Sequence, residues 1–462
     1  MENMENNGFA FEITAIDPPP IQETTAPEKP EKKRNWMQLV VVMLVLAVVG
    51  QSVVLGLCLG NLKYITHSGI NENGELVIGY SDGSVQNLGV VVGQDGEDGK
   101  SGANGTTTIV GGESGNALAV SRALRSSVSI LCAFTQQDAQ GKTTNYYSAG
   151  SGVFYQLDMA SGSAFVITNY HVVYDEKSRQ ENGIAEQISL FLYGGEYSGL
   201  EIPATYVGGS MYYDLAILRV ENSDVLKNSD ALAVTVANSD DVQVGSTAIA
   251  VGNAAGEGIS VTSGIVSVDS EYLAMTGVDG ITPVNYRVMR VDTAVNSGNS
   301  GGGLFDQNGC LVGIVNAKII DDGVENIGYA LPSTVVTAIS DNIIYYCYEQ
   351  ENESVMRAIM GITVITDTSK AVYEEETGLM RIHETVVVYT VDENLLGRVF
   401  QVDDQLQSVT IRDKTVHITR QHQLIDAMLT ARVGDVVTFQ ILRGGEPMSL
   451  TITVTADCLT AY

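Results

Sequence analysis

The chain has 462 residues, 44% of them hydrophobic, and a formal net charge of −30 at pH 7. That much apolar material fills two or three domain cores and excludes a disordered protein. The acidic excess excludes a phosphate-binding surface, and with it nucleic acid as a partner. Five cysteines, Cys58, Cys132, Cys310, Cys347 and Cys458, stand far apart with no CxxC pair and no histidine at ligand spacing. We expect buried free thiols, with no metal, no cofactor and no disulfide framework.

Residues 1–35 are polar, acidic and interrupted by Pro18, Pro19, Pro20, Pro27 and Pro30, which predicts a disordered tail. The run WMQLVVVMLVLAVVGQSVVLGLCLG over 36–60 is uncharged and long enough for one transmembrane helix. Lys29, Lys32, Lys33 and Arg34 precede it and only Lys63 closely follows, so the tail is expected in the cytoplasm and the rest of the chain outside the cell membrane. A cleavable signal peptide is the rival reading, but the run exceeds a usual apolar h-region and no A-x-A site follows. An extracytoplasmic linker is expected over 61–119. In it, NGELVIGYSDGSVQNLGVVVG alternates apolar and polar residues around Asp-Gly turns, as a small β-hairpin does. Glycines at 93, 96, 99, 102 and 105 then keep the Gly-X-Y period of collagen. So few triplets without proline make a solvated acidic spacer, or a local coil that requires three chains held together elsewhere.

From about 124 to 346 short β-rich runs alternate with Gly, Asp and Asn, which predicts a sandwich or barrel of antiparallel strands. His171 is the only histidine in this region and closes the strand-like SAFVITNYHVV. Asp214 is the odd charge before LAILRV, and Ser300 sits in the glycine-rich NSGNSGGGLF. Each residue alone has an ordinary structural explanation: a core histidine, a turn-capping aspartate, a linker serine. Together they are what acyl transfer requires. A serine hydroxyl needs an imidazole to take its proton, and the imidazole needs a carboxylate to fix its tautomer. Flanking glycines let backbone N–H groups turn towards one oxygen. The chain order His, Asp, Ser is that of chymotrypsin-type enzymes.

The segments SGSAFVITNYHVV, YDLAILRV, VGNAAGEGISVTSGIVS, VDTAVNSGNSGGGLFDQNGCLVGIV and NIGYALP, in that order, resemble the HtrA (DegP/DegS-like) family of trypsin-like serine proteases over most of residues 120–460. Tyr170, Ala254 and Gly303 depart from the family's commoner residues without touching the three reactive positions. The resemblance implies a mainly β protein: a chymotrypsin-like double β-barrel over 120–350, with the triad His171, Asp214 and Ser300 in its cleft. It implies an oxyanion hole from the amides of Gly298 and Ser300, and an S1 pocket shaped by Val295 and Ile319 that accepts small or medium apolar side chains. It further implies a homotrimer that cleaves unfolded or envelope proteins, with loops around 269–286 and 316–326 that need ordering. Ser333 opens an apolar-periodic stretch that predicts a helix closing this domain. Beyond it, MGITV, ETVVVYTV, DQLQSVTI, HQLIDAMLTAR and GDVVTFQILRGGEPMSLTITV resemble a PDZ domain over 356–460. Such a domain holds the terminal carboxylate of a peptide on a loop, here Ile359, Met360, Gly361 and Ile362. Asp403, Asp404, Gln405 and Leu406 stand where the family has Gly-Asp-x-Ile. Two other readings remain open: a chaperone or peptide-sensing scaffold with little protease activity, and an adhesion protein.

Overall fold

The computed structural model describes residues 65–70, 75–90, 115–137, 142–195, 199–316, 327–352 and 354–461. The expected tail, the apolar run 36–60 and the Gly-X-Y spacer lie outside the described residues. Among the described residues no helix is long and apolar enough to cross a membrane. The chain divides into two compact units, Met1–Thr108 and Ile109–Tyr462.

In the first unit the expected hairpin is β2 (Glu75–Tyr80) and β3 (Val85–Val90), joined by a third strand, β1 (Ile65–Ile70), on the other side of β2. Gly83 takes φ +81° in the turn, where the Asp82 carboxylate accepts the Ser84 amide at 2.9 Å.

The second unit opens with helix α1 (Gly115–Ser126), so folded structure starts before residue 120. Ala119 and Ala123, one turn apart, are buried, while Arg122 and Arg125 reach out to the carbonyls of Asn308 and Asp230. Six strands then close a first barrel, in the order β4 (Ser127–Gln137), β5 (Thr143–Asp158), β6 (Ser163–Thr168), β9 (Leu215–Val220), β8 (Ile202–Ser210) and β7 (Gln187–Leu192). Six more close a second, in the order β10 (Thr247–Gly252), β11 (Ser260–Thr276), β12 (Pro283–Val291), β15 (Gly328–Pro332), β14 (Leu311–Val315) and β13 (Gly303–Phe305).

The period of two along the central strands explains why both faces are apolar. In β6 and β9, Ala164, Val166, Ala216 and Leu218 fill the first barrel, whereas Phe165, Ile167, Leu215 and Ile217 point out into a shared core. In β10, Ala248 and Ala250 fill the second barrel and Ile249 and Val251 join that same core. Helix α3 (Ser333–Ile343), the expected closing helix, adds Val335, Val336 and Ile339. Two barrels are thus welded by a third hydrophobic layer between them.

Three local expectations are corrected. His171 does not end a strand: β6 stops at Thr168, and Tyr170–Val173 is one helical turn, α2. Strand β8 was hidden by Pro203, Gly208 and Gly209, which weaken any strand pattern. The glycines are there because a Cβ on Gly209 would lie 2.5 Å from the Tyr170 ring and one on Gly208 2.7 Å from the Cys347 sulfur. The expected loop around 269–286 is instead the hairpin of β11 and β12, which has a register shift between Val268 and Glu271 and a turn tied by the Asp279 carboxylate to the amides of Ile281 and Thr282.

The C-terminal part has the sheet order β17 (Ile362–Glu374), β18 (Leu379–Val391), β19 (Gln405–Ile411), β21 (Val436–Arg443) and β22 (Glu446–Thr453). Strand β20 (Lys414–His417) pairs with β19, and β16 (Met356–Ala358) with β23 (Leu459–Ala461). Helix α4 (Gln421–Leu429) supplies Leu424 and Met428 to the core of this sheet. Asp403 sits at φ +71°, a left-handed conformation that favours glycine; buried Asp404 grips the Arg443 guanidinium through two bonds of 2.7 Å.

Helix α4 also faces the second barrel. Buried Arg287 of β12 meets Asp426 of α4 at 2.5 Å and Asp240 at 3.0 Å, and donates to Ser270 and Thr334. Burial pushes the Asp426 carboxyl upwards from its ordinary 3.8 against the pull of Arg287. Arg287→Ala leaves that carboxylate without its cation, so denaturant titration at pH 7 should show a loss of about 3–5 kcal/mol. Lys227→Ala, which breaks an exposed pair, should cost under about 1 kcal/mol. With the folded Asp426 pKa raised above the unfolded value, its penalty sets in as pH rises through that range, so the Arg287→Ala defect should shrink on acidification.

Candidate active site

The seam between the barrels gathers the residues singled out above. Asn169, at the end of β6, donates its side-chain amide to the carbonyl of Asp214 at 2.8 Å, which joins the two segments before either reactive side chain is considered. Asp214 is 3% exposed and holds φ +54°, a left-handed conformation that aims its carboxylate back at α2. One carboxylate oxygen accepts the His171 backbone amide at 2.9 Å; the other lies 2.6 Å from His171 Nδ1. A carboxylate already accepting that amide fixes the ring as the tautomer with the proton on Nδ1, which leaves Nε2 as a base.

A fourth group, absent from the sequence reading, completes this pair. Asn316, fully buried, donates its side-chain amide to the same Asp214 oxygen at 2.9 Å. Burial, then the neighbouring Asp214 charge, pushes the Tyr286 phenol upwards, so it stays a neutral hydroxyl beside Asn316. A lone Asn ending the apolar run CLVGIV was the only sign of this in the sequence.

Ser300, 5% exposed, lies in the loop that leads into β13. Its carbonyl accepts the Ser151 amide of β5 at 2.9 Å, and a Cβ on Gly301 would lie 2.9 Å from the Asn169 nitrogen. The loop is therefore pressed against the end of β6 from which α2 and His171 emerge. Among the described residues no hydrogen bond joins the Ser300 hydroxyl to the His171 ring.

The loop's amides divide into two sets. Those of Asn299, Gly301 and Gly302 donate to the carbonyls of Asn296, Val315 and Asn299. Those of Gly298 and Ser300 donate to no group among the described residues. A planar trans peptide points its N–H opposite to its C=O, so each free amide is oriented by the carbonyl on the same peptide. The Ser297 carbonyl accepts the Ala255 amide at 2.8 Å and aims Gly298 N–H the other way; the Asn299 carbonyl accepts the Gly302 amide at 2.9 Å and does the same for Ser300 N–H. Gly298, at φ +96°, makes the turn possible.

Val295, 9% exposed, packs on Gly328, where a Cβ would come within 2.6 Å of it. Ile319 lies outside the described residues, as does the rest of 317–326. In the C-terminal part Gly361 takes φ +76° and Met360 is buried, while Ile359 is 40% exposed with its amide committed to the Cys458 carbonyl at 2.7 Å.

Two closed barrels with a histidine, an aspartate and a serine loop at their seam define a trypsin-like fold. A family model described as a trypsin-like peptidase domain matches residues 150–314. Serine protease Do-like HtrA of Bacillus subtilis (strain 168) is 29% identical over 309 residues, 66% of this chain and 63% of that protein. Serine protease Do-like HtrB of the same strain is 31% identical over 312 residues, 66% of this chain and 62% of that protein. The chain thus spans a little under two thirds of the length of these relatives. Among solved structures, an HtrA-type protease AlgW with decapeptide covers 74% of this chain and 98% of its own, at 25% identity and a TM-score of 0.44. The chain therefore carries a trypsin-like peptidase domain and is similar over 66% of its length to HtrA-type serine proteases.

Substitution should separate glycines that shape this site from glycines that merely turn. A Cβ on Gly298 would sit 2.1 Å from the Asn253 carbonyl oxygen, whereas one on Gly280, also at positive φ, meets nothing within 4 Å. In denaturant titration Gly280→Ala should cost about 1–2 kcal/mol for its backbone conformation alone. Gly298→Ala should cost about 1–3 kcal/mol more, because backbone must move to admit the methyl.

Proposed function

We propose that this chain is a membrane-anchored, extracytoplasmic serine endoprotease that hydrolyses peptide bonds of unfolded or envelope proteins. The observation that carries the reading is the His171–Asp214 pair at 2.6 Å beside a serine loop in which the Gly298 and Ser300 amides bond no group among the described residues. Ser300 Oγ attacks the scissile carbonyl carbon while His171 Nε2 takes its proton. Asp214, accepting from Nδ1, balances the imidazolium that forms. The carbonyl oxygen becomes an oxyanion between the amides of Gly298 and Ser300, an interaction worth about 3–4 kcal/mol per donor in the transition state. Collapse breaks the C–N bond, and the leaving amine takes the proton from His171. Water then repeats the sequence on the acyl-enzyme and releases the acid.

Val295 supports an S1 site for Val or Ala, side chains that folded proteins bury and unfolded ones expose. The uncharged run 36–60 supports a single-pass anchor with a cytoplasmic N-terminus. The β16–β23 sheet order and the Ile359–Ile362 loop support a PDZ domain that receives C-terminal peptides, with the amides of Met360 and Gly361 as carboxylate donors. A homotrimer follows from the family likeness alone; mass measurement in detergent checks it.

Purified full-length chain should cleave an unfolded protein and take a fluorophosphonate label, and Ser300→Ala should lose the label and at least about 10⁴-fold of kcat/KM. Peptides with Val or Ala before the scissile bond should be cut, and those with Lys or Asp left intact. Neither cleavage nor labelling, even with C-terminal peptides added, would favour the scaffold reading instead.

A further inference from the structure

The peptide between the two donor amides, Gly298 to Asn299, is held differently from its neighbours. Ser297 and Asn299 have their carbonyls fixed by amides of the second barrel, Ala255 and Gly302. The Gly298 carbonyl instead accepts the hydroxyl of Ser151, on β5 of the first barrel, at 2.7 Å. We propose that Ser151 is a positioning residue for the oxyanion hole, fixing from the opposite barrel the peptide that sets the relative aim of the Gly298 and Ser300 amides. The inference rests on the proteolytic reading above and adds to it a residue outside the triad, joined to Ser300 through its backbone amide.

The hydroxyl has no choice of direction. Ser151 is fully buried, and its oxygen also accepts the Asn253 amide at 2.7 Å. An amide only donates and a carbonyl only accepts, so the single hydroxyl proton must point at Gly298. Its rotamer is confined as well: a Cβ on Gly252 would lie 2.9 Å from Ser151 Oγ, and one on Gly302 3.2 Å from Ser151 Cβ. The backbone of Ser151 is pinned on both sides, its amide to the Ser300 carbonyl at 2.9 Å and its carbonyl by the Thr168 hydroxyl at 2.7 Å. Asn253 is held in turn, its side chain donating to Ser129 of β4 at 2.7 Å and accepting the Gly258 amide at 2.7 Å.

Removing the hydroxyl leaves the Gly298 carbonyl buried without a donor. Relief comes from rotation of the 298–299 peptide: it strains the Asn299 amide's bond to Asn296 at 3.0 Å, but Gly298 already sits where glycine alone is at ease and has no side chain to resist. That rotation changes ψ of Gly298 and φ of Asn299, and whatever part the two angles do not cancel turns the peptides carrying the Gly298 and Ser300 amides relative to one another. Substrate contacts away from the reacting carbonyl are untouched, so the loss falls on the transition state and not on ground-state binding.

The test compares full-length parent, Ser151→Ala, Ser151→Thr and Ser300→Ala on a chromogenic peptide with Val before the scissile bond. A boronic acid of the same peptide, whose tetrahedral serine adduct mimics the intermediate, is measured as inhibitor. Ser151→Ala should lower kcat about tenfold to a hundredfold, less than deletion of an oxyanion donor. KM should stay within about twofold, and boronate affinity should weaken in proportion to kcat/KM. Ser151→Thr, which keeps the hydroxyl, should recover most of kcat. If the alanine form does not fold, Ser151→Cys, a weaker donor of similar size, carries the same comparison. Parent-like kcat in a folded Ser151→Ala, or a fall caused by KM with boronate affinity intact, would overturn the inference while leaving the protease reading standing. A parent that neither cleaves nor takes the fluorophosphonate label would remove both.

Discussion

Everything at this site depends on holding two independently closed barrels in one register. Each barrel satisfies its own ladder and has no strand edge to offer the other. The weld is the shared apolar layer of Phe165, Ile167, Leu215, Ile217, Ile249 and Val251. Apolar contact is strong but directionless, and it sets distance better than angle. Angle comes from polar bonds that cross the seam, among them Ser151 amide to Ser300 carbonyl, Ser151 hydroxyl to Gly298 carbonyl, and Asn253 side chain to Ser129. These lie beside the reactive loop, where a small rotation matters most.

The same division of labour explains the Asp214 environment. A buried carboxylate is costly unless its oxygens are occupied, and here they accept from His171 twice and from Asn316 once. The donors come from α2 of the first barrel and from the end of β14 in the second. A carboxylate shared across the seam keeps His171 aligned only while both barrels stay in place. Asp214's left-handed backbone is tolerated because Asn169 pins its carbonyl.

How much of this was legible depended on whether the information was local. His171, Asp214 and Ser300 could be singled out because each stood inside a distinctive short motif, and the His171–Asp214 pairing is what the structure then adds. The strands of both barrels were readable where apolar residues ran continuously, and β8 was lost because its glycines answer to Tyr170 and Cys347, partners distant in the chain. Ser151 and Asn316 carried no local signal of function. A serine between glycines and an asparagine after an apolar run are ordinary, and their meaning arises only when another barrel supplies the partner. The helical turn at His171 was likewise masked by Val172 and Val173, whose β-branched side chains favour strands.

The C-terminal part raises a related question: why fasten a domain through buried charge and not through more leucine? The Arg287–Asp426–Asp240 group, with His422 at 3.4 Å from Asp240, gains little net stability after desolvation. What it does impose is a unique seating, because any sliding of α4 along the second barrel strands a carboxylate or a guanidinium without a partner. Asn342 and Arg432 add to it by bonding the Leu429 and Asp341 carbonyls across the same contact. Arg287 belongs to β12, the strand that also carries Tyr286 beside Asn316 and hence Asp214. Consecutive residues therefore carry the side chain that seats the C-terminal helix and the one that adjoins the partner of Asp214. Because side chains alternate along a strand, the two face opposite ways, and a shift of β12 that moved one would have to move the other.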